Sequence, residues 1–194
     1  MTRIIAGEAG SLRLAAPDKV SRPTSDRVRE AIFSRLESLM NLRGARVLDL
    51  FAGTGALGLE AASRGASAVW LVDQHTGANR VIRDNIQTIA PALSHQPELH
   101  ATKSSVGGFL AGSPPTAVSL VFLDPPYDYA SQALDDHLEA LRPWLQRDAI
   151  VVVERSAQSA PPQFPEGFDD LGTKKYGDTR VYWARFLKGS QPPA

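Results

Sequence analysis

Apolar positions along this chain alternate between two patterns. Short, nearly unbroken runs of strand length occur at Val47 to Phe51, Ala68 to Asp73, Val118 to the strand end at Asp124, and Ile150 to Val153, with a weaker one at Leu99 to Lys103. Between them, Leu57 to Arg64, Thr76 to Ala90 and Ser131 to Leu145 read as helices. Strands separated by helices of this length must pair in parallel, which predicts an α/β fold: a doubly wound, mainly parallel sheet. Leu171 to Tyr176 and Val181 to Leu187 flank Gly177-Asp178-Thr179 and predict an antiparallel hairpin that completes seven strands.

The first residues do not follow the alternation. Arg3-Ile4-Ile5, the turn residues Gly7 to Gly10 and Ser11 to Leu14 predict a small β-hairpin, and Pro17 and Pro23 bracket a linker. Thr24 or Ser25 then caps a helix with Asp26 in its first turn and Val28, Ile32, Leu36 and Leu39 on one stripe. Arg27, Arg29 and Arg35 lie off the stripe, so some of them face solvent or a ligand. The expected division is a hairpin extension over 1–23, a main domain over 24–189 and a flexible tail over 190–194.

The chemistry concentrates at two strand ends. Gly53, Gly55 and Gly58 give G-x-G-x-x-G at a strand-to-helix turn, where glycine admits a close ligand and the helix N-terminus offers free N–H groups. Asp73 ends the next strand about 20 residues on, placed for the hydroxyls of an adenosine ribose. NAD and S-adenosylmethionine share that ribose. Asp49, inside the first strand, discriminates: it faces the cationic, amino-bearing end of S-adenosylmethionine, unless it only holds the amides of the turn.

The second strand end reads Asp124-Pro125-Pro126-Tyr127. As plain structure, two prolines and an Asp end a strand sharply. As chemistry, the Asp124 carboxylate and the Pro125 carbonyl are two acceptors for the hydrogens of an amine, the prolines fix the carbonyl directions, and Tyr127 is a stacking platform. An exocyclic amine, whose lone pair is delocalised, needs such a clamp to aim that pair at a methyl donor. With the glycine loop upstream, the chemical reading is preferred.

Composition changes the picture only at the margins. With 43% hydrophobic and 22% charged residues, 194 residues fit one domain. No apolar run reaches the roughly 20 residues of a membrane span, and the first residues lack a signal-peptide core, so a cytoplasmic protein is expected. No cysteine is present, which excludes a disulfide framework and a Cys-rich zinc site, and the four histidines show no metal-ligand spacing. Trp70, within a strand, reads more as core than as a stacking platform, and Trp144 and Trp183 are open between the two. Net charge is +0, yet Met1 to Arg46 carries nine basic against five acidic residues, almost all of the basic ones Arg. Arg suits bidentate phosphate contacts, and Arg3, Arg13, Arg22, Arg27 and Arg180 are the candidate RNA-binding residues.

The pattern D-x-F-x-G-T-G-x-x-G from Asp49 to Gly58, with Asp73 and DPPY at Asp124 to Tyr127, resembles a class I S-adenosylmethionine-dependent N-methyltransferase. Arg22-Pro23-Thr24, Asp26-Arg27-Val28-Arg29-Glu30, GALGLEAASRGA and Tyr176-Gly177-Asp178-Thr179-Arg180 narrow the resemblance to the RsmD family of ribosomal RNA guanine-N2 methyltransferases, from Arg3 to about Phe186. The resemblance implies a Rossmann-like fold, S-adenosyl-L-methionine as cofactor, cofactor contacts at Asp49, Phe51, Gly53, Gly55, Asp73 and Ser105, and a catalytic set of Asp124, Pro125, Pro126 and Tyr127. It further implies methylation of guanine N2 in 16S rRNA, the family site being guanine 966, with the small ribosomal subunit as partner and a monomeric enzyme. Ser105 departs from the family's Asp or Asn at the adenine contact. The same clamp would serve adenine N6 in DNA or a protein glutamine amide, whose enzymes more often have Asn in place of Asp124. The glycine pattern alone also permits an NAD-dependent dehydrogenase, for which no hydride-transfer set is seen, and an RNA-binding module without catalysis is a fourth reading.

Overall fold

A computed structural model describes residues 2–16 and 24–187. Arg22, among the expected RNA contacts, lies outside the described residues, as does the segment 188–194. Seven strands form one sheet, β1 (Arg46–Leu50), β2 (Ala68–Asp73), β3 (Glu98–Lys103), β4 (Val118–Leu123), β5 (Leu145–Ser156), β6 (Phe168–Tyr176) and β7 (Thr179–Phe186), in the order β3-β2-β1-β4-β5-β7-β6. The first five run parallel, and β7 lies antiparallel between β5 and β6. The expected doubly wound sheet with an antiparallel C-terminal hairpin is therefore present.

Strand periodicity sorts the apolar residues onto two faces. Val47, Leu120, Phe122, Ile150, Val152 and Trp183 join one core with α1 (Asp26–Leu39), α2 (Ala56–Ser63) and α3 (Thr76–Ile89). Leu48, Leu50, Val121, Leu123, Val151 and Val153 join the other, under α4 (Val106–Leu110) and α5 (Ser131–Ala140). Being covered on both faces is why these strands read as unbroken apolar runs.

Boundaries differ from expectation where local chemistry intervenes. The helix expected to run to Leu145 ends at Ala140, and a 3₁₀ turn over Arg142–Trp144 follows, because Pro143 lacks the N–H that an α-helix needs. The last strand before the hairpin spans twelve residues, since its polar start, Leu145 to Asp148, pairs at the edge of β4 across an irregularity. The five-residue α4 has no signature in the sequence pattern, because Gly107 and Gly108 mask it.

The N-terminal segment is a hairpin of minimal size, with one bridge between Arg3 and Arg13. Its Ile4, Ala9 and Leu14 are buried in the α1–α3 core. The buried Glu60 of α2 accepts from the backbone N–H groups of Ile5 (2.7 Å) and Ala6 (3.0 Å) and pairs with Arg64 at 2.9 Å. Ser25 caps α1 by accepting from Val28 N–H. Arg29 proves fully buried, so the stripe of α1 is wider than its apolar residues suggest. Its guanidinium donates to the Arg3 carbonyl and to Asp26, tying the helix start to the hairpin. Arg35 stacks over Trp183, with its guanidinium carbon 4.4 Å from the ring centroid, and donates to the Leu171 carbonyl.

Candidate active site at the carboxyl ends of the central strands

Parallel register brings the two chemical segments together. Asp49 lies opposite Phe122 and Leu50 opposite Leu123, so the glycine loop leaving β1 and the segment Asp124 to Tyr127 leaving β4 emerge side by side. Leu50 also lies opposite Val72, which puts Asp73 on the other flank of the loop. The sheet reverses direction of winding at β1 and β4, where open α/β sheets bind ligands.

The loop itself is tightly wound. Phe51, Gly53 and Gly55 have φ of 64°, 59° and 81°. A side chain on Gly53 would meet no atom within 4 Å, so space is open above the loop there. Gly58 has a different reason: a Cβ would come within 2.6 Å of Leu71 and 2.9 Å of Val69, so this glycine lets α2 lie against β2. Phe51 adopts its positive φ without glycine's freedom, a strained backbone held by its surroundings. Its ring packs edge-on against Tyr129 at 4.9 Å and near His137 at 6.2 Å. Tyr129 Oη and His137 Nε2 are 2.7 Å apart. Burial raises the Tyr129 hydroxyl and lowers the His137 imidazole, which favours the neutral form of both.

Both flanking carboxylates grip backbone. Asp73 accepts from Gly53 N–H through Oδ2 (3.0 Å) and from His75 N–H through Oδ1 (2.9 Å). Asp49 is 1% exposed and accepts from Gly58 N–H through Oδ2 at 2.8 Å. Burial pushes the Asp49 carboxyl well above the usual carboxylate range, the Gly58 bond opposes this, and the charges of Asp124 and Asp73 raise it further. Asp49 therefore does hold the turn, with Oδ1 outside that bond. An open cradle at Gly53 with carboxylates at the ends of β1 and β2 fits a cationic ligand that carries a ribose.

Ser105, the expected adenine contact, follows the end of β3. It is the N-cap of α4, accepting from Gly108 N–H at 3.1 Å, and is exposed. Its hydroxyl serves a helix that the sequence pattern does not reveal.

At the end of β4, Pro125 is buried, while Pro126 and Tyr127 are exposed, Tyr127 by 52%. Tyr129 N–H donates to the Pro126 carbonyl at 3.0 Å, closing the turn. Arg155 of β5 steadies it by donating to the Tyr129 carbonyl at 3.1 Å. Asp124 Oδ2 accepts from the Thr24 hydroxyl at 2.9 Å, and that hydroxyl is also 3.1 Å from Glu154 Oε2. Burial pushes the Asp124 carboxyl up to about 6, opposed by the Thr24 bond. Glu154, buried on β5, is pushed well above its ordinary value by burial and by Asp124.

The expected RNA contacts occupy two regions. Arg3 and Arg13 face each other across the hairpin bridge, both exposed, and Arg27 is exposed in the first turn of α1. Arg3 also sits 3.6 Å from Asp26. Arg180 of β7 is half-buried, flanked by Lys175 of β6 and Arg155 of β5.

Thr24, Glu154 and Asn85, whose Nδ2 donates to the Thr54 carbonyl of the loop, join the site although none is among the expected site residues. Glu154 does carry a signal: it ends the run Ile150 to Val153 as Asp124 ends the run before it. Thr24 reads from sequence only as a cap, and the cap is Ser25. Asn85 lies on α3 with no local mark of its contacts.

Comparison with known proteins agrees with this geometry. Residues 2–185 match the family model described as "Conserved hypothetical protein 95". Ribosomal RNA small subunit methyltransferase D of Escherichia coli K12 is 33% identical over 166 residues, covering 84% of this chain and 79% of that protein. The protein of the same name from Haemophilus influenzae is 33% identical over 178 residues, 90% of this chain and 89% of its own. A solved structure from Escherichia coli superposes with a TM-score of 0.82 at 29% identity, over 96% of this chain and 98% of that one. The chain has the Rossmann-like class I methyltransferase fold and belongs to the RsmD family.

Proposed function

We propose that the protein transfers the methyl group of S-adenosylmethionine to the exocyclic N2 of a guanine in 16S rRNA, at the position corresponding to guanine 966, on the small ribosomal subunit. The observation that carries the reading is the register of β1 against β4, which sets Asp124 and the Pro125 carbonyl beside the glycine loop. The bound cofactor supplies an electrophilic methyl on a sulfonium. Asp73 and the loop backbone hold its ribose, with Gly53 and Gly55 leaving room, Asp49 faces its cationic end, and Phe51 and the segment at Ser105 flank its adenine.

Asp124 and the Pro125 carbonyl each accept one N–H of the target amine, so the nitrogen lone pair turns toward the methyl donor. Tyr127, exposed beside them, stacks on the base. Ionised Asp124 also stabilises the positive charge that develops on the nitrogen. Arg3, Arg13 and Arg27 contact phosphates from the hairpin side, and Arg180 from the other. The enzyme acts as a monomer in the cytoplasm.

The test is transfer of labelled methyl groups from S-adenosylmethionine to small subunits lacking the modification, with the product nucleoside identified. N2-methylguanosine is the expected product. N6-methyladenosine, or no transfer, would overturn the assignment.

A further inference from the structure

Thr24 Oγ touches two carboxyl oxygens, Asp124 Oδ2 at 2.9 Å and Glu154 Oε2 at 3.1 Å. A hydroxyl has one proton to donate. The second contact is a hydrogen bond only if a carboxyl brings the other proton. Glu154 is the better holder of it. It is 3% exposed, and its Oε1 has no hydrogen-bond partner among the described residues. An ionised carboxylate so placed would leave a charge poorly solvated, a larger cost than a neutral acid with one bare carbonyl oxygen.

The surroundings of Glu154 lean the same way. From β4 it faces Asp124, and from β1 it faces Asp49, both acidic. On β7 its register partner is the uncharged Val181. Arg29 of α1 is the cation that faces it; its Nη2 donates to Asp26 at 2.7 Å and to the Arg3 carbonyl at 2.6 Å, while its buried Nε and Nη1 make no hydrogen bond to Glu154 or to any other described residue. Asp124, by contrast, keeps some solvent exposure at the strand end.

We propose that Glu154 is a protonated positioning residue, whose carboxyl donates to Thr24 Oγ and so turns the Thr24 hydroxyl toward Asp124 Oδ2. The chain of donors then runs in one direction, Glu154 to Thr24 to Asp124. Asp124 receives a hydrogen bond that favours its ionised form and fixes its rotation, with Oδ1 left for the substrate amine. The inference rests on Asp124 being the amine acceptor, as proposed above, but the state of Glu154 is open to measurement without substrate.

Two measurements test it. In the wild-type protein carrying ¹³C-carboxyl glutamate, without RNA, the Glu154 resonance is assigned by its absence in Glu154→Gln and followed against pH. It is expected to stay protonated at neutral pH; titration in the ordinary glutamate range would overturn the proposal. Methyl transfer is then followed against pH in four variants. Glu154→Gln keeps a donor to Thr24 and is expected within about threefold of wild type, with the acidic limb of the profile in place. Glu154→Leu and Thr24→Val are expected to lose about tenfold in kcat, and Thr24→Val, which removes the donor to ionised Asp124, to move the acidic limb to higher pH. Thr24→Ser restores both. A loss in Glu154→Gln as deep as in Glu154→Leu, an acidic limb moved downward in Glu154→Gln, or a Thr24→Val enzyme indistinguishable from wild type would each overturn it. Identification of a product other than N2-methylguanosine overturns the proposed function and leaves the glutamate titration standing.

Discussion

Asn85 holds both polar groups of one peptide residue: its Oδ1 accepts from Ala15 N–H at 2.7 Å, and its Nδ2 donates to the Ala15 carbonyl at 3.1 Å. The same Nδ2 donates to the Thr54 carbonyl at 2.8 Å, inside the glycine loop. One fully buried side chain on α3 thus links the N-terminal segment to the loop. Asn85→Ala is expected to destabilise the protein by roughly 1–3 kcal/mol, since buried polar groups lose partners. It should also weaken binding of S-adenosylhomocysteine by loosening Thr54. Urea unfolding and calorimetry check the two effects; a midpoint equal to wild type would show that the tie contributes nothing.

Asp73→Ala removes an acceptor used by Gly53 of the loop and by His75 at the start of α3. The expected result is a loss of S-adenosylhomocysteine affinity of roughly 1.5–3 kcal/mol for each charge-assisted bond to the ribose, with some loss of stability. An unchanged dissociation constant would take Asp73 out of the site.

Asp124→Asn keeps one amide oxygen as acceptor but loses the charge opposite the developing ammonium. A fall of about 10²–10³ in rate is expected, and a deeper one for Asp124→Ala, with cofactor affinity nearly intact. Single-turnover methyl transfer measures this. Full activity in both would return Asp124-Pro125-Pro126-Tyr127 to a strand-ending turn.

The acid side of the pH profile has a definite sign. Asp124 stabilises the charge developing on the amine only when ionised, and burial pushes its carboxyl up to about 6. Activity should therefore rise with pH through about 6. Stability moves oppositely: a carboxyl raised by folding binds its proton more tightly in the native state, so its contribution is present below the unfolded value and lost as pH rises through about 6. Asp49 and Glu154, raised in the same direction, add to that slope. Rates and denaturation midpoints across pH 4–8 should cross in this way. An Asp124→Asn enzyme with the same acidic limb would remove Asp124 as its source.

Arg3 and Arg13, opposite each other and exposed, form a compact pair for phosphate. Replacing both with Gln should weaken RNA association at low salt and reduce the slope of log K against log salt by about 0.7–0.9 for each phosphate no longer neutralised. A slope equal to wild type would assign the hairpin a purely structural part. Substitution is the cleaner test than truncation, because Ile4 and Leu14 belong to the core.

The sheet was legible because its central strands are buried on both faces and its helices are long enough to show their period. What stayed hidden depends on interactions between residues far apart in the sequence. Arg29 looks like any basic helix residue until the Arg3 carbonyl and Asp26 enclose it. Ser105 stands where a cofactor contact was expected, but the short helix it caps has too few residues and too many glycines to announce itself. The candidate site was legible where carboxylates lie at or near a strand end, at Asp49, Asp73 and Asp124, which the sheet register brings to one edge. Thr24 lies 100 residues from Asp124 and 130 from Glu154, and no local pattern encodes that meeting.

The position of β7 between β5 and β6 has a consequence for synthesis. Strand β6 leaves a growing chain first, yet its hydrogen-bonding partner in the sheet is β7. Until Thr179 to Phe186 have emerged, β5 has a bare flank, β6 has nowhere to dock, and the place of Trp183 in the core is vacant. Nascent chains cut short before β7 should thus be open to chaperones and proteases, and the emergence of Thr179 to Phe186 should close this part of the sheet.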